Sequence, residues 1–255
     1  MATYKKRGFK PKNKAEEQRF KEQESTTAEV FSTLDESASK TEEWVSKNQN
    51  YILGIIGVIE VAVLGYLEYN QFIQKPKEAE ATNELLYPQQ YFEQALNTAT
   101  AKDSLYNLAL NGAEGKYGFL DIIEEYKGTK AANLANYSAG MAYLDMQQYE
   151  EAISHLEQFS SNDEILGALA KGGLGDCIMQ LGQPEDALGF YESAVAHSVN
   201  DYTAPKFLYK SGITAIELQQ NEKALQYFQR IKDEFPSSDE AATIDAFIGM
   251  AKNTN

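Results

Sequence analysis

Hydrophobic positions fall into two patterns along this chain, one continuous and one periodic. The continuous one is Tyr51 to Leu67, YILGIIGVIEVAVLGYL, which fades through Tyr69, Phe72 and Ile73. At 1.5 Å per helical residue the strong run covers about 25 Å and the extended one about 35 Å, enough to cross a hydrocarbon core with some tilt. A buried core helix seldom carries so long an apolar run between sharply polar flanks. A cleaved signal peptide fits poorly too, because a long polar region precedes the run and no small-residue cleavage pattern follows it. Residues 51–73 therefore predict an uncleaved signal anchor, a single N-terminal transmembrane helix.

The polar region before the anchor divides in two. Residues 1–25 are rich in Lys, Glu, Gln and Asn with few apolar positions, the composition of a disordered arm. In 26–50, Thr26 and Glu29 stand at capping-box spacing before Val30, Phe31 and Leu34, which predicts a short amphipathic helix. Ser39 and Glu42 repeat that signal before Trp44, and from there a juxtamembrane helix is expected to run into the membrane, with Trp44 and Tyr51 near the headgroups. Glu60 lies in the middle of the anchor. Ten Leu, Ile and Val residues between Tyr51 and Leu67 favour insertion by about 0.3–0.6 kcal/mol each, against about 2.5–3.5 for a central acidic charge. Insertion still wins, and Glu60 must be protonated, paired or directed at a partner helix. Gly57, one turn earlier, makes a close intramembrane contact geometrically reasonable.

The periodic pattern occupies the rest of the chain. Three times a glycine is followed twelve residues later by an alanine, at Gly140 and Ala152, Gly175 and Ala187, and Gly212 and Ala224, with 35 and 37 residues between successive glycines. Self-similarity at this spacing predicts stacked helical hairpins, each too small to bury its apolar face alone. The glycine lets two helices approach and the alanine is expected to fill the small space opposite. In the second unit Gly182 and Pro184 form the turn, and Pro236 closes the third. GFLDIIEEYKG, ending at Gly128, reads as the second helix of a degenerate earlier unit, and residues 237–255 as a capping helix. Upstream, Lys77 to Thr100 predicts a helix that Pro88 breaks or kinks at Tyr87, and Ala101 to Lys116 has no clear assignment.

These residues resemble the tetratricopeptide repeat family over about residues 131–236, with small residues at its characteristic places and its terminal proline at Pro236, although the family's tryptophan is missing. The resemblance implies an all-α helical-hairpin solenoid with three repeats at 131–236 and a helical linker plus degenerate repeat at 74–130. It also implies a concave groove lined by the first helix of each unit. Aligned on the glycines, Tyr137, Met141 and Asp145, then Asp176, Met179 and Gln180, then Tyr209, Ile213 and Glu217 face that groove. Aromatics and methionines beside a few acids suit extended or helical apolar peptides, and packing against neighbouring helices is the alternative. The mostly apolar and acidic positions disfavour a clamp for a terminal carboxylate.

Charge separates the ends. Lys5, Lys6, Arg7, Lys10, Lys12 and Lys14 form a basic patch without acids, whereas from Gln74 onward 13 Lys and Arg face 27 Asp and Glu, a net of 14 negative charges. The acidic part argues against binding nucleic acid, including specific DNA, or anionic lipid. The basic cluster favours a cytoplasmic N-terminus. In a bacterial cell the acidic remainder is then periplasmic and the anchor sits in the inner membrane. The arm has two open readings: a topology signal, or a patch that contacts ribosomal RNA, acidic lipid or an acidic partner. The single cysteine, Cys177, reads as a small buried hydrophobe.

Catalysis needs convergent nucleophiles, bases or ligands, and the chain contains only His155 and His197, without metal-binding spacing. No nucleotide-cradling loop or zinc motif is present, so no catalytic, cofactor or metal site is expected. The layout of arm, anchor and repeat array resembles the YfgM-type ancillary subunits of the bacterial SecYEG translocon, and the polar arm and the wording of the repeats resemble tetratricopeptide proteins of Bacteroidota. That resemblance implies a holdase or scaffold beside the secretion channel and a membrane-anchored peptidyl-prolyl isomerase, handling secretory client chains. A structural adaptor in another cell-envelope complex, contacting partners through anchor and arm, is the alternative.

Overall fold

The computed structural model describes residues 14–98 and 100–253, with side chains outside 15–40 and 253. It forms two units, which divide between Tyr69 and Asn70. The first contains helix α1, Lys14–Tyr69, unbroken over 56 residues. The helix begins inside the segment expected to be disordered, and neither Thr26 nor Ser39 starts a new one. The physical reason lies in propensity: Ala15, Glu16, Glu17, Gln18, Arg19 and Lys21 are all strong helix formers, so a polar composition does not by itself unwind the chain. A potential N-cap followed by good helix formers is simply bypassed when a helix already runs through it.

From Thr41 to Tyr69 no side chain is buried, and Val58 and Val61 are each 71% exposed. Among the described residues one helical stretch, Thr41–Leu96, is long and apolar enough to cross a membrane, with a mean hydropathy of 1.8 over its 18-residue window, and it is compatible with a single-pass anchor.

The second unit opens with a π turn, Asn70–Gln74, followed by α2, Lys75–Leu96. Helices α3, Lys102–Asn111, and α4, Phe119–Glu125, come next. Then follow three hairpins: α5, Lys130–Asp145, with α6, Tyr149–Gln158; α7, Leu166–Gln180, with α8, Pro184–His197; and α9, Ala204–Glu217, with α10, Asn221–Glu234. A 3-10 turn, Glu240–Thr243, leads into α11, Ile244–Asn253. There are no strands among the described residues, and the fold is an all-α helical-hairpin solenoid.

Pro88 does not break α2. It sits inside the helix fully buried, so packing of its ring offsets the missing backbone donor. Around it Ala81, Leu85, Tyr106, Leu110, Phe119, Ile122, Ala135 and Ala139 form one core joining α2 to α5, and the region without a clear sequence assignment is thus the packed start of the solenoid. Its reversal uses Gly112 and Gly115 at φ of 72° and 75°, values open to glycine at little cost. Glu78 of α2 ties this layer to the next by accepting from the free N-terminal amides of α5, Lys130 at 2.8 Å and Ala131 at 3.1 Å. Thr129 caps the same helix through Ala132 N.

The first helix of each hairpin ends in the same way. Gln147, Gly182 and Gln219 adopt φ of 62°, 76° and 58°. The following amides, Gln148, Gln183 and Gln220, donate back to Tyr143, Ile178 and Ala215 at 2.9, 3.1 and 2.8 Å. This is the Schellman arrangement, which satisfies carbonyls that the helix would otherwise leave open. Only the second unit places the preferred glycine there.

The glycine and alanine pairs do pack, with a different partner from the expected one. A Cβ on Gly140 would meet Leu156 Cγ at 2.6 Å, one on Gly175 would meet Tyr191 Cε1 at 2.6 Å, and one on Gly212 would meet Phe228 Cε1 at 2.2 Å. Each partner stands four residues beyond the alanine, one turn further along the second helix. The large side chain occupies the glycine's notch, while Ala152, Ala187 and Ala224 are fully buried beside it. Beyond the last hairpin, Ile244, Ile248 and Ala251 of α11 join Phe228, Ile231 and Phe235 in a shared core that closes the stack.

Candidate peptide-binding groove

The nine residues expected to line a groove lie on α5, α7 and α9, and the structure sorts them by position along those helices. Asp145, Gln180 and Glu217, five residues after each glycine, are exposed near the helix ends. Tyr137, Met141, Asp176, Met179, Tyr209 and Ile213 are half-buried. The apolar members mostly pack sideways. Tyr137 has its ring 5.1 Å from that of Phe159, and burial pushes its hydroxyl up to about 12. The Met141 sulfur lies where a side chain at Gly173 would point, 3.4 Å from its Cβ position. Tyr209 meets Phe247 of α11 edge-on at 5.0 Å and Phe228 at 6.3 Å. Met179 and Ile213 border the same core.

Two of the three acids are already paired. Asp145 forms an ion pair with Lys102 of α3. Asp176 receives both a two-oxygen contact from Lys210 of α9, 2.6 Å to Oδ2, and a hydrogen bond from the Tyr191 hydroxyl at 2.8 Å. Burial, and then the Asp176 charge, raises the Tyr191 hydroxyl well above the usual tyrosine range, so it stays a donor at all ordinary pH. Asp176 therefore ties the first helices of the second and third hairpins together, and Asp145 ties α5 to α3. Sequence reading missed Lys102, Lys210 and Tyr191 as their partners because the pairs span 15 to 43 positions. Among the described residues, the nine share no hydrogen bond, ion pair or ring contact with one another.

The remaining residues singled out in the sequence have simpler surroundings. Gly57 has open space around it and Glu60 is exposed on α1. Lys14 is the exposed first residue of α1, whereas Lys5, Lys6, Arg7, Lys10 and Lys12 lie outside the described residues. His155 bonds Asn136 Oδ1 through Nδ1 at 3.0 Å and stacks on Tyr143 at 5.5 Å, with burial lowering its pKa. His197 Nε2 bonds the Asp163 carbonyl at 3.0 Å. Among the described residues there is no group of three or more His, Cys, Asp or Glu placed to hold a metal ion. Cys177 is fully buried, and that burial, followed by the Asp176 charge, pushes its thiol up to about 12.

One cleft of about 610 Å³ opens between the end of α6 and the start of α7, lined among others by Leu156, Phe159, Lys171, Leu174 and His197. It belongs to none of the expected groove positions.

Tetratricopeptide repeat models match residues 137–201, from within α5 to just past α8, and 207–238, from within α9 to just past α10. No curated protein matches the chain. The three central hairpins are thus similar to tetratricopeptide repeats, and the solenoid they build is of tetratricopeptide type.

Proposed function

We propose that this chain is a membrane-tethered scaffold whose repeat array holds secreted polypeptides beside a SecYEG-type translocon. Its arm lies in the cytoplasm and its array in the periplasm. The observation that carries the reading is the joining, in one chain, of a single fully exposed apolar helix and an acidic tetratricopeptide-type solenoid. Tetratricopeptide repeats indicate a protein-interaction scaffold. Repeat stacks of this kind generally bind proteins and perform no chemistry, and the chain is read here as a non-enzyme. In this proposal the basic residues of the arm set the orientation, Glu60 and Gly57 contact a partner helix in the bilayer, and a membrane-anchored peptidyl-prolyl isomerase shares the complex.

The engaged side chains of the expected groove favour a second reading. With Asp176 committed to Lys210 and Tyr209 to Phe247, the array also suits a fixed structural adaptor in another envelope complex. Photocrosslinking from positions 137, 179 and 209 in cells separates the two. Nascent or unfolded secretory chains are the expected adducts, and their complete absence from all three positions removes the holdase reading. Purification in mild detergent then gives the complex, where a fixed stoichiometric assembly without the secretion channel establishes the adaptor. Protease accessibility of residues 80–255 from the cytoplasmic side overturns the orientation.

A further inference from the structure

Helix α1 carries a second pattern besides its apolar run. From Thr27, alternating steps of four and three residues lead through Phe31, Leu34, Ala38, Thr41, Val45 and Asn48, and the same steps continue through Ile52 and Ile59 to Tyr69. This is the 3.5-residue repeat that keeps one seam of a helix turned toward a second helix as the two wind around each other. The register stops at Glu24, one step before Thr27. Inside the anchor nearly every position is apolar, so the informative half is the polar one. There Phe31, Leu34, Ala38 and Val45 fall on the seam, and Ala28, Val30 and Trp44 adjoin it. Between Thr27 and Tyr69 every charged residue, from Glu29 to Glu68, lies at another position. Glu42, Glu43 and Lys47 are exposed on the other faces, and Glu60 stands just outside the seam beside Ile59.

The seam is uncovered within its own unit. Among the described residues α1 is the whole of that unit, unbroken over 56 residues, and Val45 and Ile59 on the seam are 44% and 57% exposed. At 1.5 Å per residue, Lys14 to Asn50 alone makes a rod about 55 Å long. Propensity holds such a rod only marginally in water, and most helices take their stability from a packed face. What the seam excludes points to what covers it. Copies inserted in one membrane lie parallel, and in a parallel pair about a two-fold axis each seam residue meets itself. A charge on the seam would then face its own sign, whereas an unlike partner could supply the opposite one. A seam free of charge from Thr27 to Tyr69 is the condition that pairing with an identical chain sets. Asn48 meets the same condition, because its amide both donates and accepts. One Nδ2 proton goes to the Trp44 carbonyl at 2.8 Å, which leaves the other proton and Oδ1 for the amide of a second copy. The β-branched Val45 and Ile52, seven residues apart on the seam, favour two strands.

We propose that α1 pairs with α1 of a second copy of this chain, as a parallel two-stranded coiled coil that begins near Thr27 and runs through Asn48 into the anchor. Glu60 stays outside the seam, so the pairing is independent of the contact at Glu60 and of the translocon reading. It rests only on the anchor, which makes the copies parallel. The test uses the full chain in mild detergent micelles, with Cys177→Ala and single cysteines placed one at a time from position 41 to 49, then oxidised. Thr41→Cys, Val45→Cys and Asn48→Cys should yield disulfide-linked dimers about tenfold more readily than Glu43→Cys or Lys47→Cys, because only seam positions bring two Cβ atoms close. Light scattering should give the mass of a dimer at micromolar concentration. Val45→Glu sets like charges against each other and should raise the dimer dissociation constant about tenfold or more. The thermal midpoint of the repeat array stays unchanged in that variant, which separates lost pairing from lost folding. Lys47→Glu adds an acid off the seam and should shift the dissociation constant by no more than about twofold. A monomer at micromolar concentration, crosslinking that is uniform or strongest at positions 43 and 47, or an unchanged dissociation constant in Val45→Glu overturns the proposal. Capture of an unlike chain by the seam cysteines in place of the dimer does the same.

Discussion

Phe228 stands where a side chain at Gly212 would have to go: a Cβ on that glycine would lie 2.2 Å from the ring. The same relation links Tyr191 to Gly175 and Leu156 to Gly140, always sixteen residues apart, so one contact is repeated down the stack. A ring held on two packed helices cannot move aside freely. Gly212→Ala is expected to destabilise the fold by about 1–3 kcal/mol, the usual range for overpacking. Gly189 on α8 has nothing within 4 Å, and Gly189→Ala should stabilise by about 0.5–1 kcal/mol through helix propensity. Denaturant titrations check the pair, and similar midpoints for the two variants would show that the notch does not govern packing.

Asp176, Lys210 and Tyr191 form one small network across α7, α9 and α8. Tyr191→Phe removes the donor at 2.8 Å and should cost about 1 kcal/mol. In a double-mutant cycle with Lys210→Met the two changes should couple by about 0.5–2 kcal/mol, because they share one carboxylate. Strict additivity in the unfolding free energies argues against a network.

Burial holds the His155 pKa below its ordinary 6.5. The unfolded chain therefore binds a proton in a pH range where the folded chain does not, and folding loses stability as pH falls from 6.5 toward the lowered folded value. Above 6.5 that contribution is fully present. Stability measured between pH 7.5 and 5 should decline with acidification, and His155→Gln should flatten the decline while keeping a polar partner for Asn136. An identical slope in the variant excludes His155 as its source.

Cys177 should be chemically silent in the folded protein. Its thiol is fully buried and its pKa is pushed up to about 12, so almost no thiolate exists at pH 7. Maleimide labelling should be negligible under native conditions and complete in denaturant. Rapid native labelling shows that this part of α7 opens.

Gln147 and Gln219 occupy the left-handed position that Gly182 fills in the middle hairpin. Replacing either by glycine should stabilise the chain by up to about 1 kcal/mol, since the αL strain at a non-glycine outweighs glycine's extra chain entropy there. A lower thermal midpoint for both variants counts against the strain argument.

Much of the solenoid was legible because its signals are local or periodic. Gly140, Gly175 and Gly212 mark α5, α7 and α9, and Gly182 with Pro184 marks a turn that the structure contains. Helix α1 was longer than expected because a polar stretch of helix formers resembles a disordered one in composition. Pro88 was read as a break or kink at Tyr87, and α2 runs through it, since nothing local shows that its ring will be buried. The candidate groove was legible as a list of helix positions and not as a site. Which of those side chains were free depended on Lys102, Lys210 and Phe247, which are remote in the chain.

By itself the sequence determined what small residues and periodicity dictate: an apolar helix of membrane length, and hairpins whose glycines leave room for close packing. Tertiary structure decided who fills that room. Phe228 rather than Ala224 occupies the notch at Gly212, and Lys210 takes the carboxylate of Asp176. The reason is physical: backbone preference acts over a few residues, whereas side-chain partners are chosen by distances that exist only after the hairpins have stacked.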